Sequence, residues 1–312
     1  MATGDTGKRH RFAASLLEGQ IAVAEGMAKE DERQPFDAMV LLGDNFYHDG
    51  LRHHELVPRI RENIVRPYCH FLALDGPRSA EVRDACLIPE RERHPIPLYA
   101  VLGNHDIASP ESPELESRVL PEFVPNWSLD TGFGRVVEFP QGVSLILLNS
   151  DFQPHADRRA ELAALLLESR GRWRIVASHR PATVGDSGGE SPLEGFRLDF
   201  ERAISDAQRP VHIFLSGHRH SLQILASSTP DPILAVIVGS GARHRPIRDP
   251  HPDRVFGMAS LGFARIDLRG AGNDERLVVT LFALPDFPVL GTDPERVASW
   301  SVDRSGHTRD EF

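Results

Sequence analysis

Residues 39–47 read Met-Val-Leu-Leu-Gly-Asp-Asn-Phe-Tyr: four apolar residues, then a glycine, a carboxylate, an amide, an aromatic ring and a phenol. A short apolar run ended by Gly-Asp is a buried strand entering a tight turn. The glycine permits the sharp reversal. The polar groups after it are left outside the strand's carboxyl end, where α/β folds place ligands. Asp44 and Tyr47 are therefore candidate ligands rather than turn residues alone.

The same arrangement recurs outward from this stretch. Leu98 to Leu102 precede Gly103-Asn104-His105-Asp106, Ile175 to Ala177 precede Ser178-His179-Arg180-Pro181, and Val211 to Leu215 precede Gly217-His218-Arg219-His220. Near the start stands Gly4-Asp5-Thr6-Gly7. Each cluster alone reads equally well as a turn or a capped strand end. Five of them together supply carboxylates, a phenol, an amide oxygen and imidazoles, a mixed oxygen and nitrogen donor set suited to metal ions.

Further strand-like runs lie at Val143 to Leu148, Ile233 to Val238, Leu261 to Leu268 and Leu277 to Phe282. Ala160 to Glu168 is rich in Ala and Leu and reads as a helix, as does the spacing of Leu17, Ile21, Ala24 and Ala28. Strands interleaved with helices and then paired in sequence predict an α/β fold with a mixed sheet. One domain is expected over 1–283, with 75–97 as a polar, proline-bearing surface insertion and 284–312 as a polar tail.

The 312-residue chain is 40% hydrophobic and 26% charged, with a formal charge of −10. That balance excludes a general nucleic-acid backbone binder, which needs a basic stripe. No apolar run reaches the ~18–20 residues of a membrane span. The first residues lack the pattern of a signal peptide, yet the three residues before Gly4 are short for a strand, so a missing upstream segment, including an export signal, is an open expectation. Cys69 and Cys86 are too few for a disulfide scaffold; free thiols are expected, with a single loop-closing bridge as the alternative. His48, His53 and His54 read as solvated and are left outside the site.

The ordered clusters resemble the calcineurin-like metallophosphoesterase superfamily, and Leu42-Gly-Asp-Asn-Phe-Tyr47 resembles its purple acid phosphatase branch. Val238-Gly-Ser-Gly-Ala242 after the histidine pair adds to the likeness. The superfamily's opening Asp-x-His is incomplete here because Gly7 stands two after Asp5, while Tyr47 stands where the purple branch carries a tyrosine ligand. The resemblance implies a four-layer α/β/β/α sandwich of two mixed sheets. It implies two metal ions. Asp5, Asp44, Tyr47 and His220 would hold Fe(III); Asn104, His179 and His218 would hold Fe(II), Zn(II) or Mn(II), with Asp44 bridging.

It also implies hydrolysis of a small phosphate monoester by hydroxide generated at the metals. His105 would donate a proton to the leaving oxygen or hydrogen-bond the substrate's transition state, and Asp106 would orient it. Arg180 replaces the tyrosine usual in the fourth cluster, and is read either as a bidentate phosphate contact or as a surface arginine. A phosphodiesterase on the same scaffold is the alternative, with 75–97 as the segment that would shape its pocket. A non-catalytic phosphate- or metal-binding protein is the third reading. The absence of a Gly-x-Gly-x-x-Gly motif removes dinucleotide chemistry.

Overall fold

Alternation along the strands decides the layering. Met39 and Leu41 enter a core with Val23, Met27, Ile60 and Ile64 of the outer helices, whereas Val40 and Leu42 enter a second core with Leu145, Ile175 and Leu215. Ile146, Val176 and Phe214 point the other way, into a third core with Leu162, Leu166 and Phe200. A side-chain period of two thus gives each sheet two apolar faces, and three cores hold four layers together. A computed structural model describes residues 1–8, 19–151, 157–182, 192–227, 233–248, 250–285 and 291–312.

The first sheet has the order β15-β14-β13-β12-β1-β2-β3-β4. Its strands are β1 (Ala2–Thr3), β2 (Met39–Leu41), β3 (Leu98–Ala100), β4 (Trp127–Leu129), β12 (Leu261–Arg269), β13 (Arg276–Leu284), β14 (Glu295–Asp303) and β15 (Thr308–Asp310). β1 to β4 run parallel, and β12 to β15 form an antiparallel meander joined to them by Ala2 opposite Ala264. The second sheet has the order β11-β9-β10-β8-β7-β6-β5. It comprises β5 (Gly134–Phe139), β6 (Val143–Leu148), β7 (Trp173–Ser178), β8 (Ile213–Ser216), β9 (Leu222–Ala226), β10 (Leu234–Val238) and β11 (Arg254–Met258). Helix Gly19–Arg33 covers the first sheet; helices Arg158–Glu168 and Pro192–Ala207 cover the second. The expected sandwich of two mixed sheets is the observed fold. Ile21, Ala24 and Ala28 lie on helix Gly19–Arg33, while Leu17 is outside the described residues.

Three expectations change. The polar tail is largely sheet: β14 and β15 extend the meander, with Ser299 and Ser301 buried in β14. Their hydroxyls are satisfied laterally, Ser299 by Thr280 at 3.2 Å and Ser301 by Glu311 at 2.8 Å, which is how a serine-rich run becomes an interior strand. Cys69 and Cys86 are paired, with Cα atoms 5.2 Å apart, and no described cysteine is free. The 75–97 insertion folds into short 3₁₀ turns and leads through a Pro97 carbonyl bonded to Met39 into β3, so it sits at the amino-terminal ends of the strands. Ligand clusters follow the carboxyl ends. The insertion therefore cannot shape the pocket as the diesterase alternative required.

Candidate dinuclear metal centre

Asp5 follows β1, Asp44 follows β2 and His179 follows β7, and one ligand atom from each lies within 4.8 Å of the others in buried surroundings. Asp5, Asp44 and His218 all adopt left-handed backbone conformations, with φ of 57°, 55° and 62°. Such angles are uncommon outside glycine and cluster at functional sites, Asp and His tolerating them better than most residues. Flanking backbone bonds hold the turns: Asp5 N–H to the Gly43 carbonyl at 3.0 Å and Gly7 N–H to the Asp44 carbonyl at 3.0 Å.

Two half-sites surround this centre. The Tyr47 hydroxyl donates to Asp5 Oδ1 at 2.9 Å and lies 3.2 Å from His220 Nε2, which is itself 3.2 Å from Asp5 Oδ1. Across from them, His179 Nε2 is 3.1 Å from Asn104 Oδ1 and 3.2 Å from His218 Nδ1. Asp44 stands between the groups, with Oδ1 3.5 Å from His179 Nε2 and a carboxylate oxygen within 4.8 Å of Asp5. The first sheet supplies Asp5, Asp44, Tyr47 and Asn104; the second supplies His179, His218 and His220.

Glycines make the room. A Cβ on Gly103 would lie 2.3 Å from Asp44 Oδ1, and one on Gly217 would lie 2.7 Å from Asp5 Oδ2. His179 Nδ1 donates to the Leu42 carbonyl at 2.9 Å, which fixes the tautomer and leaves the Nε2 lone pair facing the centre. Burial, and then the charges of His179 and Arg180, push the His218 imidazole down to about 2, so the ring is neutral as a ligand must be. Burial and the Asp5 and Asp44 carboxylates push the Tyr47 phenol far up. A bound cation would invert that last effect, because it becomes the largest local charge.

The remaining predicted residues fall differently. His105 is at the rim, one-third exposed, with Nε2 4.0 Å from Asp44 Oδ2 and Nδ1 2.5 Å from the His48 carbonyl. Asp106 does not orient it. Its buried carboxylate instead accepts the backbone N–H groups of Asn45 at 3.1 Å, Phe46 at 2.9 Å and Gly103 at 2.9 Å, fixing the Asp44 turn from behind. Arg180 reaches the site, but Nε binds Asp151 and Nη1 lies 3.2 Å from His218 Nε2. Two of its donors are thus engaged by protein, so it positions His218 rather than presenting a free fork to phosphate.

Sequence reading missed what lies behind the Asp44 turn. Asn45 Nδ2 donates to the Val101 carbonyl at 3.1 Å and Glu116 Oε2 at 3.0 Å, and Ser112 donates to Glu116 Oε1 at 2.7 Å. Asn45 lay inside the quoted motif; nothing in the local sequence marks Glu116. Burial pushes the Glu116 carboxyl up from 4.5 to about 8. Between those values the unfolded chain is ionised while the folded one keeps its proton, so stability present below the lower value is lost as pH rises. The slope approaches roughly 1.4 kcal/mol per pH unit. Glu116→Gln should flatten the unfolding free energy across that window in denaturant titrations; an unchanged slope would refute the assignment.

The sequence profile of the calcineurin-like phosphoesterases matches residues 1–222. The chain belongs to the calcineurin-like phosphoesterase family. It is a phosphoric ester hydrolase of that family. Purple acid phosphatase 17 of Arabidopsis thaliana is 26% identical over 261 residues, covering 77% of this chain and 67% of the relative. Yellow lupin purple acid phosphatase PPD1 shares the fold at a TM-score of 0.59 and 14% identity, across 97% of this chain and 53% of that one. GAP50, the anchor in the inner membrane complex of Plasmodium, gives a TM-score of 0.60 at 17% identity, over 95% and 87%.

Within this phosphoesterase the Gly7 departure has a steric basis. A Cβ there would fall 2.0 Å from the Asn45 carbonyl oxygen and 2.3 Å from the Phe46 amide nitrogen. Gly7 and the Tyr47 turn are packed backbone to backbone, and Tyr47 N–H donates to the Gly7 carbonyl at 2.8 Å. A side chain at position 7 and this placement of Tyr47 exclude each other. The donor set fits two cations: buried carboxylates, a phenol and the His220 Nε2 on one side, neutral nitrogen and amide donors on the other.

Proposed function

We propose that the chain hydrolyses phosphate monoesters at a dinuclear centre of the purple acid phosphatase type. The observation that carries this is the Asp5–Tyr47–His220 cluster set against Asn104–His179–His218, with Asp44 within 4.8 Å of Asp5 and of His179. The anionic half suits Fe(III); the amide and imidazole half suits Fe(II), Zn(II) or Mn(II). When bound, the two ions would supply an activated water and neutralise charge on the phosphoryl group. Asp44 spans the two positions, and Leu42 and Arg180 hold His179 and His218 in place. His105, on the exposed side of Asp44, is placed to give a proton to the leaving oxygen, its Nδ1–H tied to the His48 carbonyl.

The reading is tested at Tyr47. The iron-loaded protein should be coloured by a tyrosinate-to-iron charge-transfer band, and Tyr47→Phe should abolish the band. A colourless iron protein, indifferent to the substitution, would rule out Tyr47 as a ligand. His105→Ala should lower kcat on an aryl phosphate by about 10²-fold or more with the metal content intact. Unchanged turnover would mean that the metals alone activate the leaving group. Comparing an aryl monoester with its diester separates the proposed activity from the diester alternative.

A further inference from the structure

A second group of metal-ligand side chains lies away from the centre just described. Asp31, His70 and His94 bring one donor atom each to within 4.8 Å of one another. Asp31 Oδ2 is 2.9 Å from His70 Nε2 and 2.8 Å from His94 Nδ1. Its other oxygen accepts the Phe36 N–H at 2.9 Å, which fixes the carboxylate with Oδ2 facing the imidazoles. Asp31 and His70 are buried, with side chains 3% and 8% exposed, whereas His94 is 42% exposed. Among the described residues no Lys or Arg pairs with this buried carboxylate; its partners are an amide and two rings that carry charge only when protonated. A buried carboxylate so placed lacks a permanent counter-charge, which is costly unless a cation provides it.

The three residues come from separate pieces of chain. Asp31 is on helix Gly19–Arg33, His70 on the turn Cys69–Phe71 beside the disulfide, and His94 on the strand-ward end of the insertion. His94 N–H also donates to the His70 carbonyl at 2.7 Å, so the two histidines are presented as a unit. The helix begins at Gly19 against Ala242, close to the catalytic rim, and Asp31 is twelve residues further along. At 1.5 Å per residue that is about 18 Å from the rim. The cluster is therefore at the amino-terminal ends of the strands and contributes nothing to the dinuclear centre.

We propose that Asp31, His70 and His94 form a third, structural site for a divalent cation, of which Zn(II) matches the donors best. Two imidazoles and one carboxylate are a common zinc set, and the exposed side of His94 leaves a fourth, solvent-filled position. Zinc–ligand bonds of about 2.0–2.2 Å put tetrahedral donors a little over 3 Å apart, so the cluster closes on the ion with small side-chain movements. Each neutral ring keeps one N–H by shifting it to the nitrogen away from the ion. The ion would fasten the disulfide-closed insertion to the helix that covers the first sheet.

The test is metal counting on the full chain after zinc loading and exhaustive dialysis. Wild type should retain one equivalent more than either His94→Ala or His70→Ala, and hydrolysis of an aryl monoester by His94→Ala should match wild type. The comparison is a difference between proteins with the same dinuclear centre, so it holds whatever that centre contains. As a second arm, Asp44→Asn should keep this equivalent, and adding zinc should raise its thermal midpoint, a rise that Asp44→Asn/His94→Ala loses. Equal metal content in wild type and His94→Ala would overturn the proposal and leave a hydrogen-bonded Asp-His-His cluster.

Discussion

Asp44→Asn should lower phosphate-ester hydrolysis by about 10³-fold or more while leaving the fold intact. The amide is the same size as the carboxylate, so the His105 N–H that Asp44 Oδ1 accepts at 3.0 Å keeps a partner. What disappears is the negative charge between the half-sites. His179 shows the size of that charge's influence: burial alone would depress its pKa, yet Asp44 and Asp5 raise it overall. Two cations held side by side repel, and Asp44 lies between the clusters, within 4.8 Å of both Asp5 and His179. The measurement is turnover together with metal stoichiometry. Full activity with two bound ions would dismiss the bridging role and the half-site division built on it.

The second large effect is expected at Gly7. Gly7→Ala should destabilise the protein by about 3 kcal/mol or more, since the new methyl meets backbone and no flexible side chain can give way. The same clash makes a sharper statement about the ligand exchange. Installing the superfamily's histidine, as Gly7→His in a Tyr47→Phe background, should not restore metal binding, because the ring cannot enter while the Tyr47 turn occupies its place. Thermal unfolding and iron content decide both points. Recovery of a stable two-metal protein by the double variant would show the two ligands to be interchangeable here.

The candidate ligands were legible because they gather at strand ends, so a local pattern of apolar run and polar group carries the information. Asp5, Asp44, Tyr47, Asn104, His179, His218 and His220 all come together as that pattern implied. Asp106 was misread because adjacency to His105 suggested a side-chain pair, whereas its oxygens are used by three backbone amides. Glu116 and the Asp31, His70 and His94 group were invisible for a different reason. Their partners lie tens of residues away with no shared spacing, so only tertiary packing assembles them. β14 was hidden by composition: its interior serines look like loop until the lateral hydroxyl partners are seen.

The two sheets are drawn differently from the chain. Every strand of the second sheet falls between Gly134 and Met258, while the first is made from both ends, with β1 pinned by β12 through residues 2 and 264. During synthesis the second sheet can therefore emerge and pair as a unit, placing His179, His218 and His220 early. The Asp5 turn must wait for β12, some 260 residues later, to leave the ribosome before its strand gains a second neighbour. Contacts spanning such sequence separations close slowly. Catalytic competence should thus be the last property a nascent molecule acquires, well after most of its helices are in place.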